Sequence, residues 1–534
     1  MVENKMFDIN TLTLEEKIGQ MIGLAFSGTS YSDELKMQIE DIKAGLIIYF
    51  KDNCASPKQV FELNKEILKH AKIPPFIAID QEGGMVARVT EGIVQSPGAM
   101  AISATNNVDS AYKLAFNMGL DLRRLGFTFN FAPVADVNNN PLNPVINVRS
   151  YSEDPNVVCK YVREATRGYH DALIMSSLKH FPGHGDTVVD THLGLAKVDY
   201  DMDRLNKIEL KPFIMAKEEG LPGIMAAHVM YTSIDDKYPT TLSKKVIQGL
   251  LRDKIGYDGL VVTDSLTMKA VFDNFSLEEI VLHTFESGCD IMLLCGARDI
   301  KMQKDFYETA VRLVREGKIE ESHINECVTR IIKHKYKYKI GIMSESFDDI
   351  KDLINNKEAV EFSKKVSRDS ITSLRNNGSY PIKENEKVLV VFPKIKVVTL
   401  VEDKLNGLQS LSDYISFKTD KMYISISPDE DESNELLKVQ DNYDKIIYCS
   451  YNACFNESQK DLINKLDNNK LIVCAIRTPY DLNVLPYVKS YICTYEATPL
   501  SLESLALVLE GKIEAKGKIP VTIKWGGNYE YYCC

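Results

Sequence analysis

Eight short apolar runs constrain this chain more than any other feature. They read QMIGLAF (20–26), AGLIIYF (44–50), PFIAID (75–80), FTFNFAPVAD (127–136), SSLKHFPG (176–183), GIMAAHVMY (223–231), GLVVTDSL (259–266) and CDIMLLC (289–295). A strand with one wet face alternates apolar and polar residues, whereas these runs are almost continuously apolar. That is the pattern of parallel strands covered on both faces. Helix-like amphipathic stretches separate them, so the chain alternates β and α. Eight such units predict a (β/α)8 barrel of the TIM type. The units share no sequence self-similarity, which excludes a repeat array.

The barrel domain is expected over residues 1–341, its last helix ending near Gly341. Residues 342–376 read as a linker and a connecting helix, the helix covering about 357–376, before a turn at Asn377-Gly378. Residues 377–534 alternate again, with apolar runs at 387–393, 421–428, 444–451, 470–477 and 489–496. They predict a smaller α/β sandwich with a mostly parallel open sheet. Its strand ends lack a glycine-rich nucleotide fingerprint, so it is not read as a cofactor domain.

Composition excludes several functions. The net charge of −11 leaves no excess of Lys and Arg to neutralise phosphates, so no nucleic-acid partner is expected. No apolar run reaches the roughly twenty residues that cross a bilayer, so no membrane partner is expected either. The eleven cysteines form no CxxC pairs, and several sit inside apolar runs, as reduced core thiols do. With the polar, acid-bearing start MVENKMFDINTLTLEEKIG, this points to a cytoplasmic protein. Oligomeric state is not legible.

Polar residues gather where the apolar runs end: Asn53, Asp80, Asp136, Lys179 with His180, His228 and Asp264. In a barrel these ends converge on one face, where active sites are built. The densest group lies in LKHFPGHGDTVVDTHLGL (178–195), with three of the chain's nine histidines. Its spacings fit no zinc motif, and Lys179 would set an ammonium against the cation. A phosphate loop would need the GxxxxGK[ST] frame, which is absent. Acid–base chemistry fits better. Asp190 and His192 are two residues apart, so an extended backbone puts both on one face, where a carboxylate can orient an imidazole. An Asp-x-His pair alone also occurs in surface turns. Asp264 likewise has two readings, a nucleophile at the barrel mouth or the N-cap of a helix in SLTMKAVF.

These residues resemble a known family, glycoside hydrolase family 3, in its bacterial β-N-acetylglucosaminidase branch. The resemblance runs through TLTLEEKIGQM (11–21), AIDQEGGMVARV (78–89), NFAPVADVNNNP (130–141), NPVINVRSYSEDP (143–155), KHFPGHGDTVVDTH (179–192) and GLVVTDSLTMKA (259–270). In the second domain it rests on IRTPYDL (476–482) and GKIPVTI (517–523). It implies a retaining exo-glycosidase with no metal and no cofactor, acting on a small sugar substrate. By resemblance Asp264 is the nucleophile and His192 the general acid–base, with Asp190 its dyad partner. Asp80, Arg88, Arg149, Lys179 and His180 match residues that bind the terminal sugar. The implied substrates are β-linked N-acetylglucosaminides from cell-wall or chitooligosaccharide fragments. Phosphorolysis by the same residues and a family 3 β-glucosidase are the alternatives. Three positions depart from the family pattern: Met85 replaces an arginine, Asn147 a glycine and Thr191 a serine. His184 is expected to serve the loop's structure, with Gly183 and Gly185 giving that loop its freedom.

Overall fold

The computed structural model describes residues 7–188, 194–296, 298–395 and 409–525, together with the backbone of 528–530. Eight parallel strands form the barrel. They are β1 (Ile22–Ala25), β2 (Leu46–Tyr49), β3 (Phe76–Ile79), β4 (Phe129–Asn130), β5 (Met175–Ser176 and Leu178–Phe181), β6 (Gly223–Ala226), β7 (Leu260–Ser265) and β8 (Ile291–Leu294). Neighbours in sequence are neighbours in the sheet, and β8 pairs back onto β1. Strand β5 closes the ring by dividing its pairing. Its first segment bonds β4 and its second bonds β6. Each strand is buried along its length except at Asp264, as continuous apolar runs require.

Two of the expected strands are shorter than their apolar runs. In FTFNFAPVAD only Phe129–Asn130 is strand, because Pro133 has no N–H to give the ladder. In GIMAAHVMY the barrel keeps Gly223–Ala226, while Val229–Tyr231 leaves to pair with Ala196–Val198. Helices such as Pro57–His70, Asp109–Arg124 and Pro155–Asp171 cover the outside. Proline at the first turn starts two of these, where its missing N–H costs nothing.

The connecting helix spans Lys357–Ser370, not the full 357–376. Its expected end is instead strand β9 (Thr372–Arg375), antiparallel to the edge of the second sheet. Thr372 sits in that sheet because its β-branched side chain suits a pleated edge better than a helix end. The remaining strands are β10 (Val388–Pro393), β11 (Asp420–Ile424), β12 (Lys445–Ser450), β13 (Leu471–Ala475) and β14 (Tyr491–Cys493), in the order β9-β14-β13-β12-β10-β11. All pairs but the β9–β14 pair are parallel. Alternate residues feed two cores. Leu389, Val391, Tyr448 and Val473 face one side, and Val390, Phe392, Ile447 and Cys474 the other.

The first of these cores also takes in Met100, Ala101, Ala104 and Val148 from the barrel domain. The C-terminal ends of β13 and β14 therefore press against the barrel's rim, with the Asn138 amide donating to Tyr480 Oη at 3.1 Å. Among the described residues, no helix is long and apolar enough to cross a membrane.

Candidate active site

A cavity of about 390 Å³ opens at the C-terminal ends of the barrel strands. Asp80, Arg88, Arg149, Lys179, His180 and Asp264 all line it. Six of the eight residues expected in the site thus converge. The other two, Asp190 and His192, lie outside the described residues.

The hairpin after β3 carries the first group. Gln81 fixes its base: Oε1 accepts the N–H groups of Arg88 and Val89 at 2.8 and 3.1 Å, while Asn130 brackets the Gln81 backbone. The turn between the two arms uses Gly83 and Gly84 at φ 99° and 58°, a region closed to most side chains. Asp80 and Glu82 then point toward the cations. Lys179 Nζ lies 2.9 Å from Asp80 Oδ1 and 2.6 Å from Glu82 Oε1. Arg149 grips Glu82 with two bonds, Nε to Oε2 at 2.9 Å and Nη2 to Oε1 at 2.7 Å. Arg88 approaches Asp80 at 3.3 Å.

Burial alone would raise both carboxyls. The cations outweigh it, Arg149 and Lys179 holding Glu82 well below its ordinary range, and Lys179 and Arg88 bringing Asp80 below its own. The result is a buried set of mutually paired charges, joined by short charge-assisted hydrogen bonds. Asn147, where the family pattern has glycine, adopts φ 42°, and asparagine tolerates that left-handed turn better than most residues. The turn delivers Arg149 to its partner.

His180 is set by Asp136. Its Nδ1 lies 2.7 Å from Asp136 Oδ2, while Asp136 Oδ1 accepts the backbone N–H of His180 at 3.1 Å and of His184 at 2.6 Å. Burial pushes the fully buried Asp136 carboxyl up, but His180 and these amides bring it below its ordinary value. The carboxylate therefore fixes the ring with Nδ1–H inward and leaves Nε2 for the cavity side.

The base of the histidine loop is packed. His184 is 1% exposed, its Nδ1 pairs with Thr187 Oγ1 at 2.6 Å, and its carbonyl accepts the Asn143 amide at 2.7 Å. Burial and the neighbouring His180 lower its imidazole to about 4, so it is neutral at physiological pH. The expected freedom at Gly185 is absent. A β-carbon there would fall 1.7 Å from the Val137 carbonyl oxygen, so glycine serves close packing.

One of the two readings of Asp264, the helix N-cap, is excluded. The helix that follows is Lys269–Phe272, capped at Met268 with no side-chain bond, so Asp264 is not its N-cap. It is instead the penultimate residue of β7, half-buried at the cavity, with Oδ1 accepting the Ser265 N–H at 2.7 Å. Ser265 Oγ accepts the N–H groups of Cys295 and Gly296 at 3.2 and 2.9 Å, clamping β7 to β8 beside it. Cys295 also lines the cavity, but burial pushes its thiol up to about 12, which leaves it inert as a nucleophile.

Asn53 and His228, two further strand-end polar residues, belong to the scaffold. Asn53 binds the backbone of Phe26, Gly28 and Phe50, and His228 bridges Thr241 Oγ1 and the Ser265 carbonyl at 2.8 and 2.7 Å. Glu82 is a site residue that the reading of strand ends passed over. The signal was its place in DQEGG, two residues beyond Asp80.

Comparison with known proteins agrees with this architecture. Residues 13–334 match the glycosyl hydrolase family 3 N-terminal domain. A solved family 3 β-N-acetylglucosaminidase from Paenibacillus sp. str. FPU-7 is 36% identical, covers 96% of this chain and 99% of its own, and superposes with a TM-score of 0.90. β-Hexosaminidase A of Pseudoalteromonas piscicida is 29% identical over 93% of this chain and 92% of its own length. The β-hexosaminidase of Xylella fastidiosa (strain M23) is 33% identical over 281 residues, 52% of this chain and 83% of its own. The chain belongs to glycosyl hydrolase family 3 and is a glycoside hydrolase.

Proposed function

We propose that the protein is a retaining exo-β-N-acetylglucosaminidase that releases non-reducing terminal N-acetylglucosamine. The observation that carries this reading is one cavity in which a strand-end carboxylate, Asp264, meets the Asp80–Glu82–Arg149–Lys179 network and His180. At about 390 Å³ the cavity lies near the lower end of the ~300–1,000 Å³ typical of small-molecule pockets, a size suited to one sugar ring. The likeness to the Paenibacillus enzyme over nearly the whole chain supports the N-acetylglucosaminide preference.

In this mechanism Asp264 attacks the anomeric carbon and forms a glycosyl-enzyme, while His192 protonates the leaving oxygen. His192 then draws a proton from water, which displaces Asp264 and returns the sugar with its configuration retained. Asp190 orients the His192 imidazole and stabilises its charged form. Asp80, Arg88, Arg149, Lys179 and His180 hold the terminal sugar. A histidine in place of a second carboxylate avoids like-charge repulsion against Asp264. Cell-wall or chitooligosaccharide fragments are the proposed source of substrate.

Product analysis tests the reading. With a 4-nitrophenyl N-acetylglucosaminide, free β-N-acetylglucosamine should appear first, at a rate independent of phosphate. Faster cleavage of the matching glucoside would assign a β-glucosidase instead. N-acetylglucosamine 1-phosphate formed when phosphate is present would assign a phosphorylase.

A further inference from the structure

The second domain reaches the hairpin that carries Asp80, Glu82 and Arg88. Glu496 follows strand β14, and it is 2% exposed. Its Oε2 accepts the Gly98 N–H at 2.7 Å and its Oε1 accepts the Thr498 hydroxyl at 3.0 Å. Gly98 and the hairpin's Gly84 form a cradle around this carboxyl. A β-carbon on Gly84 would fall 2.4 Å from Oε2, and one on Gly98 3.0 Å from it. Gly84 is tied in turn to the Ser96 carbonyl at 2.8 Å.

Four further observations show that this approach is built into the fold. Tyr495 adopts φ 67°, a conformation that bulky residues rarely take, and its hydroxyl pairs with Thr372 Oγ1 at 2.6 Å. The Glu496 carbonyl accepts the hydroxyls of Thr494 and Ser501, both at 2.7 Å, so the backbone behind the carboxyl is fixed. Met85, at the hairpin's tip, packs against the second domain's core. Glu496 and Glu82 also share a small cavity of about 30 Å³ with Arg149, which lines the larger cavity as well.

We infer that Glu496 is a positioning residue supplied by the second domain. It braces the Gln81–Ala87 hairpin from behind, so that Glu82 holds Arg149 and Lys179 in register for the terminal sugar. The inference rests on the sugar subsite proposed above. It gives the second domain a part in substrate binding without placing any of its atoms on the substrate. Burial pushes the Glu496 carboxyl up to about 7, against the pull of the Gly98 N–H and the Thr498 hydroxyl. That is the signature of a carboxyl enclosed between two domains.

The test is steady-state kinetics on the full chain with a 4-nitrophenyl N-acetylglucosaminide, with Glu82→Gln as reference. Glu496→Ala should raise KM roughly tenfold, with kcat within about threefold of the parent, as expected when ground-state and transition-state binding weaken together. Glu496→Gln still offers an oxygen to the Gly98 N–H and should restore KM to within about threefold. Should Glu496→Ala not fold, Glu496→Asp withdraws the carboxylate by one methylene and should raise KM by roughly threefold or more. A Glu496→Ala enzyme with a lower melting temperature but unchanged KM would overturn the inference and leave a purely structural contact. If Glu82→Gln raises KM while Glu496→Ala does not, the bracing role alone fails. If neither variant moves KM, the subsite reading fails with it.

Discussion

Replacing Asp136 by asparagine isolates one hydrogen bond in the site. Asp136 Oδ1 accepts two backbone N–H groups, from His180 and His184, and Oδ2 accepts His180 Nδ1–H at 2.7 Å. Asparagine keeps an oxygen for the two amides, so the backbone of the histidine loop should stay in place. Its NH2 group then faces Nδ1–H, donor against donor. The ring must lose that bond or move its proton to Nε2, and either outcome changes what His180 offers the cavity. A hydrogen bond to a charged group contributes about 1.5–3 kcal/mol, which corresponds to roughly a 10- to 150-fold fall in kcat/KM if it is realised at the transition state. Asp136→Ala is a different experiment. It leaves two buried N–H groups without their acceptor, at ~1–3 kcal/mol each, on top of the lost imidazole bond. That sum approaches the whole stability of a domain, about 5–15 kcal/mol, so poor folding is expected. The assay is kcat/KM on a 4-nitrophenyl N-acetylglucosaminide beside circular dichroism. An Asp136→Asn enzyme that is folded and within twofold of the parent would show that the Asp136–His180 bond does not matter for turnover.

Other expectations follow from single residues. Asp264→Asn and His192→Ala should each lower kcat by about two to four orders of magnitude with unchanged circular dichroism; near-full activity in His192→Ala would remove the dyad assignment. Gly185→Ala should lower the midpoint of chemical unfolding, because its β-carbon would land 1.7 Å from the Val137 oxygen and overpacking of this kind costs about 1–3 kcal/mol. Glu496 makes stability depend on pH. Its folded value, about 7, lies above the ordinary 4.5, so the folded state binds more protons between those values, and stability should fall by up to a few kcal/mol as pH rises through that window. The other titratable groups around its small cavity are Glu82, Arg149, Tyr151, Tyr169 and Tyr495, and Glu82 and Arg149 stay charged throughout. Glu496→Gln should flatten the slope, as read from melting temperatures at pH 5 and pH 7.5; an unchanged slope would place the titration elsewhere.

The barrel was legible because its signal is local. Continuous apolar runs such as AGLIIYF can be satisfied only by strands covered on both faces, and eight of them leave one closed arrangement. The position of the site followed from the same logic, since polar residues ending those runs must gather at one rim. What each polar residue does there was less legible. Asn53, His228 and Asp264 look alike in sequence, yet the first two bind backbone and loop groups while Asp264 faces the cavity. Partnerships across long separations decide this, and no periodicity encodes them. Glu82 with Arg149 and Glu496 with Gly98 are of this kind, 67 and 398 residues apart. Strand β9 was hidden for a related reason, because an edge strand takes its identity from the neighbour it pairs with.

In the proposed mechanism Asp264 carries the sugar during turnover. A fluorinated N-acetylglucosaminide with a fast leaving group, chosen to slow breakdown of the glycosyl-enzyme, followed by proteolysis and mass spectrometry, reads it directly. One sugar per chain is expected, on the peptide that contains Asp264, with hydrolytic activity lost in proportion to labelling. A label on Asp80 or on any other side chain would contradict it, as would stoichiometric turnover of the reagent with no covalent adduct at all.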